Sequence, residues 1–157
     1  MEGNIAGVLY EGSATRGKYL IFDVGSEEYG IEIENVTEII GIQAITPVPE
    51  LPGHMKGLMN LRGKIIPIID VRARFHKEPK EYDDRTCVIV VDLAGTVVGM
   101  IVDTVLEVLD IADEDIAAPP EFRSGQNKYV RGIGKTAVGV KLLIDCESLS
   151  SDIELEG

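Results

Sequence analysis

Cys87-Val88-Ile89-Val90-Val91 and Val97-Val98-Gly99-Met100-Ile101-Val102 stand on either side of Ala94-Gly95. Both runs are short, apolar and rich in β-branched residues, whose stiff side chains suit a pleated, packed surface. Two such runs around a Gly-containing connection read as a β-hairpin. The same plan occurs upstream, where Tyr19-Leu20-Ile21-Phe22 is followed by a turn at Gly25-Ser26 and then by Tyr29-Gly30-Ile31-Glu32-Ile33.

The two hairpins belong to a longer repeat. A displacement of 69 positions puts Phe22-Asp23-Val24 on Val91-Asp92-Leu93 and Gly30 on Gly99, and puts Val36, Glu38 and Ile39 on Val105, Glu107 and Val108. A displacement of 75 puts Gly57-Leu58 on Gly132-Ile133 and Ile68-Ile69-Asp70 on Leu143-Ile144-Asp145. Two blocks recurring in the same order indicate two copies of one small β unit of about five strands, approximately residues 18–80 and 85–150. Residues 1–17 read as a flexible N-terminal tail and 151–157 as an acidic C-terminal tail. Short strands with bare edges invite aggregation, and closing each unit into a barrel removes the edges. The expected fold is mainly β: two five-stranded barrels side by side with short helical segments. Contiguous barrels and barrels that exchange strands fit the pattern equally.

Local signals fill in the units. Asn35-x-x-Glu38 and, one repeat later, Thr104-x-x-Glu107 have the form of capping boxes that open a helical turn. Asp70 and Asp145 are placed to cap short helices. Asn60-Leu61-Arg62-Gly63-Lys64 reads as a tight turn, with Gly63 at the positive-φ position of a type II turn and Arg62 at an exposed tip. Pro67 lacks an amide donor and belongs at an edge or a bulge.

The composition narrows the function. The net charge is −12, from 27 acidic and 15 basic residues, without a Lys/Arg cluster. That excludes nucleic acid and an anionic membrane surface as natural partners. No apolar run approaches the ~20 residues of a membrane span, and the N-terminus lacks a signal-peptide pattern, so a cytoplasmic location is expected. Cys87 and Cys146 read as reduced core residues. His54 and His76, the only histidines, sit in loop-like stretches without a nucleophile or ligand pattern beside them. The stretch from Gly57 to Lys64 has five residues between its glycines, where a phosphate loop has four, and Ile65 replaces the Ser/Thr that would meet Mg²⁺. Asp110, Asp113, Glu114 and Asp115 lack the glycine and closing glutamate of a calcium loop. The expectation is a protein-binding module without catalysis, metal or cofactor.

Asp23 to Gly41, the run from Lys56 to Asp70, Val98 to Asp103, and Ala118-Pro119-Pro120-Glu121-Phe122 together resemble the CheW family of bacterial chemotaxis adaptors, and the resemblance extends from about Lys18 to Leu149. It implies SH3-like barrels and a scaffold that joins the cytoplasmic tips of methyl-accepting chemoreceptors to the histidine kinase CheA, in arrays at the membrane. It also implies a receptor-facing groove between the barrels, for which Ile33, Val36, Glu38 and Arg62 are the expected contacts. Val88, Val98, Gly99, Met100, Glu121 and Phe122 are the expected contacts for the regulatory domain of the kinase. The alternative reading is an isolated regulatory domain of a CheA-type kinase, or an adaptor fused to a receiver domain.

Overall fold

Three hairpin turns set the geometry, and each puts both central residues at positive φ: Gly25 and Ser26 (59° and 73°), Arg62 and Gly63 (51° and 86°), Ala94 and Gly95 (56° and 100°). These are type I′ turns, whose twist matches that of the strands they join. The type II turn expected at Arg62-Gly63 is therefore replaced by its better-twisted competitor. The left-handed backbone there is held by the Asn60 side chain, whose Oδ1 accepts a 2.8 Å hydrogen bond from the Gly63 amide. Asp92 does the same for Gly95, also at 2.8 Å.

The computed structural model describes residues 16–50, 55–119 and 129–149. The expected tails at 1–17 and 151–157, apart from Arg16 and Gly17, lie outside them, as do His54, Glu121 and Phe122. The strands are β1 (Lys18–Val24), β2 (Glu27–Glu32), β3 (Val36–Gly41), β4 (Met55–Leu61), β5 (Lys64–Asp70), β6 (Cys87–Leu93), β7 (Thr96–Val102), β8 (Thr104–Asp110), β9 (Ile116–Ala117), β10 (Val130–Thr136) and β11 (Gly139–Ile144). They form two sheets, with orders β3-β6-β7-β5-β4 and β8-β1-β2-β11-β10-β9. We call these barrel I and barrel II.

The orders reveal an exchange. Hairpin β1–β2 comes from the first repeat but lies between β8 and β11 of the second, while β6–β7 comes from the second and lies between β3 and β5 of the first. Each SH3-like barrel thus takes its hairpin from the other repeat. Both crossings use short parallel pairings, Tyr29 and Gly30 with Leu142 and Leu143, and Gly99 to Ile101 with Ile68 to Asp70. Pro67 sits one residue before the second of these ladders begins, where β5 has a neighbour on one side only.

Both barrels close in the same way. The chain beyond β3 returns to β4 through two hydrogen bonds between Thr46 and Leu58, of 2.8 and 2.9 Å. The chain beyond β8 returns through β9, which pairs with Ile133 and Gly134 of β10. The repeat-related Gly57 and Gly132 make this approach possible. A Cβ on Gly57 would stand 2.1 Å from the Thr46 carbonyl oxygen, and one on Gly132 would stand 2.8 Å from Ile116 Cγ2.

The unbroken apolar runs are explained by strands buried on both faces. In β6, Val88 and Val90 point into barrel I, whereas Ile89 and Val91 pack toward barrel II. In β1, Tyr19 and Ile21 fill barrel II, whereas Leu20, Phe22 and Val24 join the layer between the barrels. Helix α1 (Val71–Arg74) has the expected cap, with Asp70 Oδ1 accepting from the Arg72 amide at 3.0 Å. Asp145 similarly accepts from the Glu147 amide at 3.1 Å, ahead of the helical turn at 146–149. The two capping boxes are different. Glu38 lies in β3 after a 3-10 turn at Ile33–Asn35, and Thr104 to Glu107 lies wholly in β8. Strand pairing by the β-branched residues around them outweighs the local capping pattern.

Candidate docking site between the barrels

The groove expected between the barrels is largely filled. Its floor is the largest apolar cluster among the described residues, which takes in Ile33 (0% exposed) and Val36 (1%). Four aromatic rings cross that layer, Phe22 to Tyr29 to Phe75 to Tyr129, with centroid separations of 5.8, 5.1 and 5.9 Å. Ile33 and Val36 are therefore core residues whose side chains cannot meet a partner, because their spacing places them on the inward face of β3 and its preceding turn. The same correction applies to Val88, Val98, Gly99 and Met100, all of which are buried. Gly99 has no space for a side chain, since a Cβ there would lie 2.6 Å from Ile68 Cδ1.

Glu38 and Arg62 are brought together. Arg62, at the β4–β5 tip, forms an ion pair with Glu38. Because β3 and β4 are opposite edges of the sheet in barrel I, this pair spans its closure. Arg62 remains largely exposed, so its guanidinium is accessible from solvent while it holds Glu38.

An open apolar concavity of about 260 Å³ remains between the barrels, lined by Leu20, Ile39, Cys87, Val105, Leu106, Glu107 and Val108. Leu106 is 42% exposed there. Two bulges shape it. The β3–β6 ladder slips between Val36 and Glu38, and the β1–β8 ladder slips at the equivalent place, between Ile21 and Phe22 opposite Glu107 and Val105. A bulge inserts an extra residue and re-aims its neighbours. Here it leaves Thr37 exposed and Glu38 partly so in β3, and both Leu106 and Glu107 exposed in β8. The residues lining this strip were missed by the sequence reading. The available signal was the repeat itself, in which Val105 and Val108 answer to Val36 and Ile39.

A polar junction lies elsewhere on the seam. Arg72 holds Asp103 through two hydrogen bonds of 3.1 and 3.0 Å, and the Gly25 amide donates to the same carboxylate at 2.9 Å. Burial alone would raise the Asp103 pKa, but Arg72 and the Gly25 amide outweigh it and hold the carboxyl below its usual range. Burial and the charge of Asp103 push neighbouring Asp23 the other way. Among the described residues no group of three or more His, Cys, Asp or Glu could hold a metal ion. Of the cysteines, Cys146 is buried and its thiol is pushed up to about 12 by burial, whereas Cys87 is only half-buried at the rim of the concavity. No helix among the described residues is long and apolar enough to cross a membrane.

Comparison with known proteins gives this architecture a relationship. The family model described as "CheW-like domain" matches residues 18–154. The chemotaxis protein CheW of Klebsiella aerogenes is 40% identical over 145 residues, covering 92% of this chain and 87% of the relative. The probable chemotaxis protein CheW of Rhizobium etli is 36% identical over 138 residues, covering 87% and 89%. The crystal structure of the scaffolding protein TtCheW from Thermoanaerobacter tengcongensis superposes with a TM-score of 0.77 at 36% identity, covering 82% of this chain and 88% of that one. With the family model spanning residues 18–154 and relatives of this identity and coverage, the chain belongs to the CheW family.

Proposed function

We propose that this protein is a chemotaxis adaptor that couples the cytoplasmic tips of chemoreceptors to the histidine kinase CheA, working by binding alone in arrays on the cytoplasmic side of the membrane. The observation that carries the receptor half is the apolar concavity on the seam, with Glu107 in its lining. A helical hairpin would lay an apolar stripe on Leu106, Val105 and Val108, and its polar flanks would meet the Glu38–Arg62 pair, a helix-in-groove mode of recognition. The kinase half rests on the barrel ends. Ile65 is 56% exposed and its repeat counterpart Val140 is 60% exposed, with Val138 beside it at 77%. An apolar residue at each end suits stacking against a partner built from similar barrels, and these positions replace the buried ones in β6 and β7.

The test is co-elution of the full chain with a CheA regulatory domain and with a chemoreceptor cytoplasmic fragment. Leu106→Asp and Arg62→Ala should each weaken receptor binding by about tenfold or more while kinase binding persists. Ile65→Asp or Val140→Asp should do the reverse. Wild-type protein that binds neither partner would remove the adaptor reading.

A further inference from the structure

The docking strip sits on the pseudo-symmetry that relates the repeats, and the cation that holds Glu38 has no counterpart at the equivalent turn of the second copy. Glu38 and Glu107 occupy equivalent positions, 69 residues apart. Each follows a bulge at the same point of its strand. Within barrel I, Glu38 is held by Arg62 from the β4–β5 turn. The equivalent turn of barrel II joins β10 to β11, and 75 positions beyond Arg62 the residue is Ala137. Glu107 is exposed and has no ion-pair partner among the described residues. It nevertheless lines the apolar concavity, next to Leu106 and Val108.

A carboxylate at the rim of an apolar docking strip fixes orientation for a cationic partner group, because rim charges select partners and register. A partner helix seated on the strip would partly dry the rim, and a Lys or Arg at its edge would supply for Glu107 the cation that Arg62 supplies for Glu38. We propose that Glu107 is a specificity residue of the docking strip, and that the partner it selects is a helix with an apolar stripe flanked by a basic side chain on the barrel II side. This rests on the adaptor reading given above and adds the polarity of the partner to it. An acidic flank at that position would be rejected, since like charges brought together at an interface are strongly unfavourable.

The probe is a chemoreceptor cytoplasmic fragment, titrated onto the full chain at low and at high ionic strength. Glu107→Gln should weaken binding about threefold to fivefold at low salt, the range of a rim ion pair, and the difference should shrink at high salt as screening removes it. Glu107→Lys should weaken binding by about tenfold or more, and replacement of the facing basic residue of the fragment by Glu should restore much of it. Glu114→Gln, an exposed acid in the 3-10 turn at Asp113–Asp115 away from the strip, is the control and should bind as wild type. Because Glu107 is exposed, its replacements should leave the unfolding transition unchanged. Equal binding by wild type and Glu107→Gln at low salt would overturn the proposal while leaving the adaptor reading intact. Failure of the wild type to bind the fragment at any salt would overturn both.

Discussion

Asp23 and Asp103 face one another across the seam between the barrels, and their surroundings push them apart in acidity. Asp103 is depressed, so it contributes stability above its unfolded pKa of about 3.9 and loses it as pH falls through the lower folded value. Asp103→Asn should cost about 1–3 kcal/mol at neutral pH, and its urea midpoint should converge on that of the wild type well below pH 4. Asp23 has the opposite sign. Its raised pKa means the ionised form is disfavoured in the fold, and Oδ1 is buried without a hydrogen-bond partner among the described residues. Its unfavourable contribution is absent at low pH and develops as pH rises through the folded value. Asp23→Asn should therefore be neutral or stabilising at pH 7, measured by the same denaturation. The two cysteines give a separate check. A thiol reagent at pH 8 should modify Cys87 in the folded chain and spare Cys146, whose thiol is buried and shifted far above that pH.

Strands and turns were the most legible elements. The β-branched runs located the hairpins, and Asp70 and Asp145 announced their caps correctly. The turn type at Arg62-Gly63 was not legible from the loop alone, because its choice depends on the twist of strands that are paired only in the fold. The capping boxes failed for a related reason: a three-residue spacing is local, whereas pairing to β6 or β1 is long-range and wins when the side chains are β-branched. Glycine makes the sharpest prediction at this scale. Gly57 combines a φ of +141° with a Cβ position already occupied by the Thr46 carbonyl, whereas Gly63 has φ +86° and open space. Gly57→Ala should destabilise by about 3 kcal/mol or more, and Gly63→Ala by only about 1 kcal/mol, the strain of the left-handed backbone alone. Equal losses in chemical denaturation would contradict the role given to Gly57 in closing barrel I.

At the scale of the molecule, the exchange of hairpins means that neither repeat can complete a barrel alone. The layer between the barrels binds them further, since Phe22, Tyr29, Phe75 and Tyr129 draw on both repeats. Unfolding should therefore be a single cooperative transition, coincident by circular dichroism and tyrosine fluorescence. Two separable transitions would show that the barrels are independent. Phe75→Ala, at the centre of the aromatic run, should lower stability by about 3–5 kcal/mol and should shift that one transition without splitting it.

The sequence by itself determined the β class, the repeat, the hairpins, the charge excess and the absence of a catalytic pattern, and its motifs carried the family resemblance. These follow from short-range chemistry: β-branching, glycine spacing and the composition of the surface. Arg62 was visible locally as an exposed turn tip, whereas Glu38 was read locally as a helix cap and entered the candidate site only through the family resemblance. Only the tertiary structure decided which apolar residues are buried. Ile33, Val36, Val88, Val98 and Met100 look no different in sequence from Val105, Leu106 and Val108, since all are aliphatic residues in or beside strands. The difference arises from the exchange of hairpins and the two bulges, which fold one set into the shared core and leave the other on the open seam.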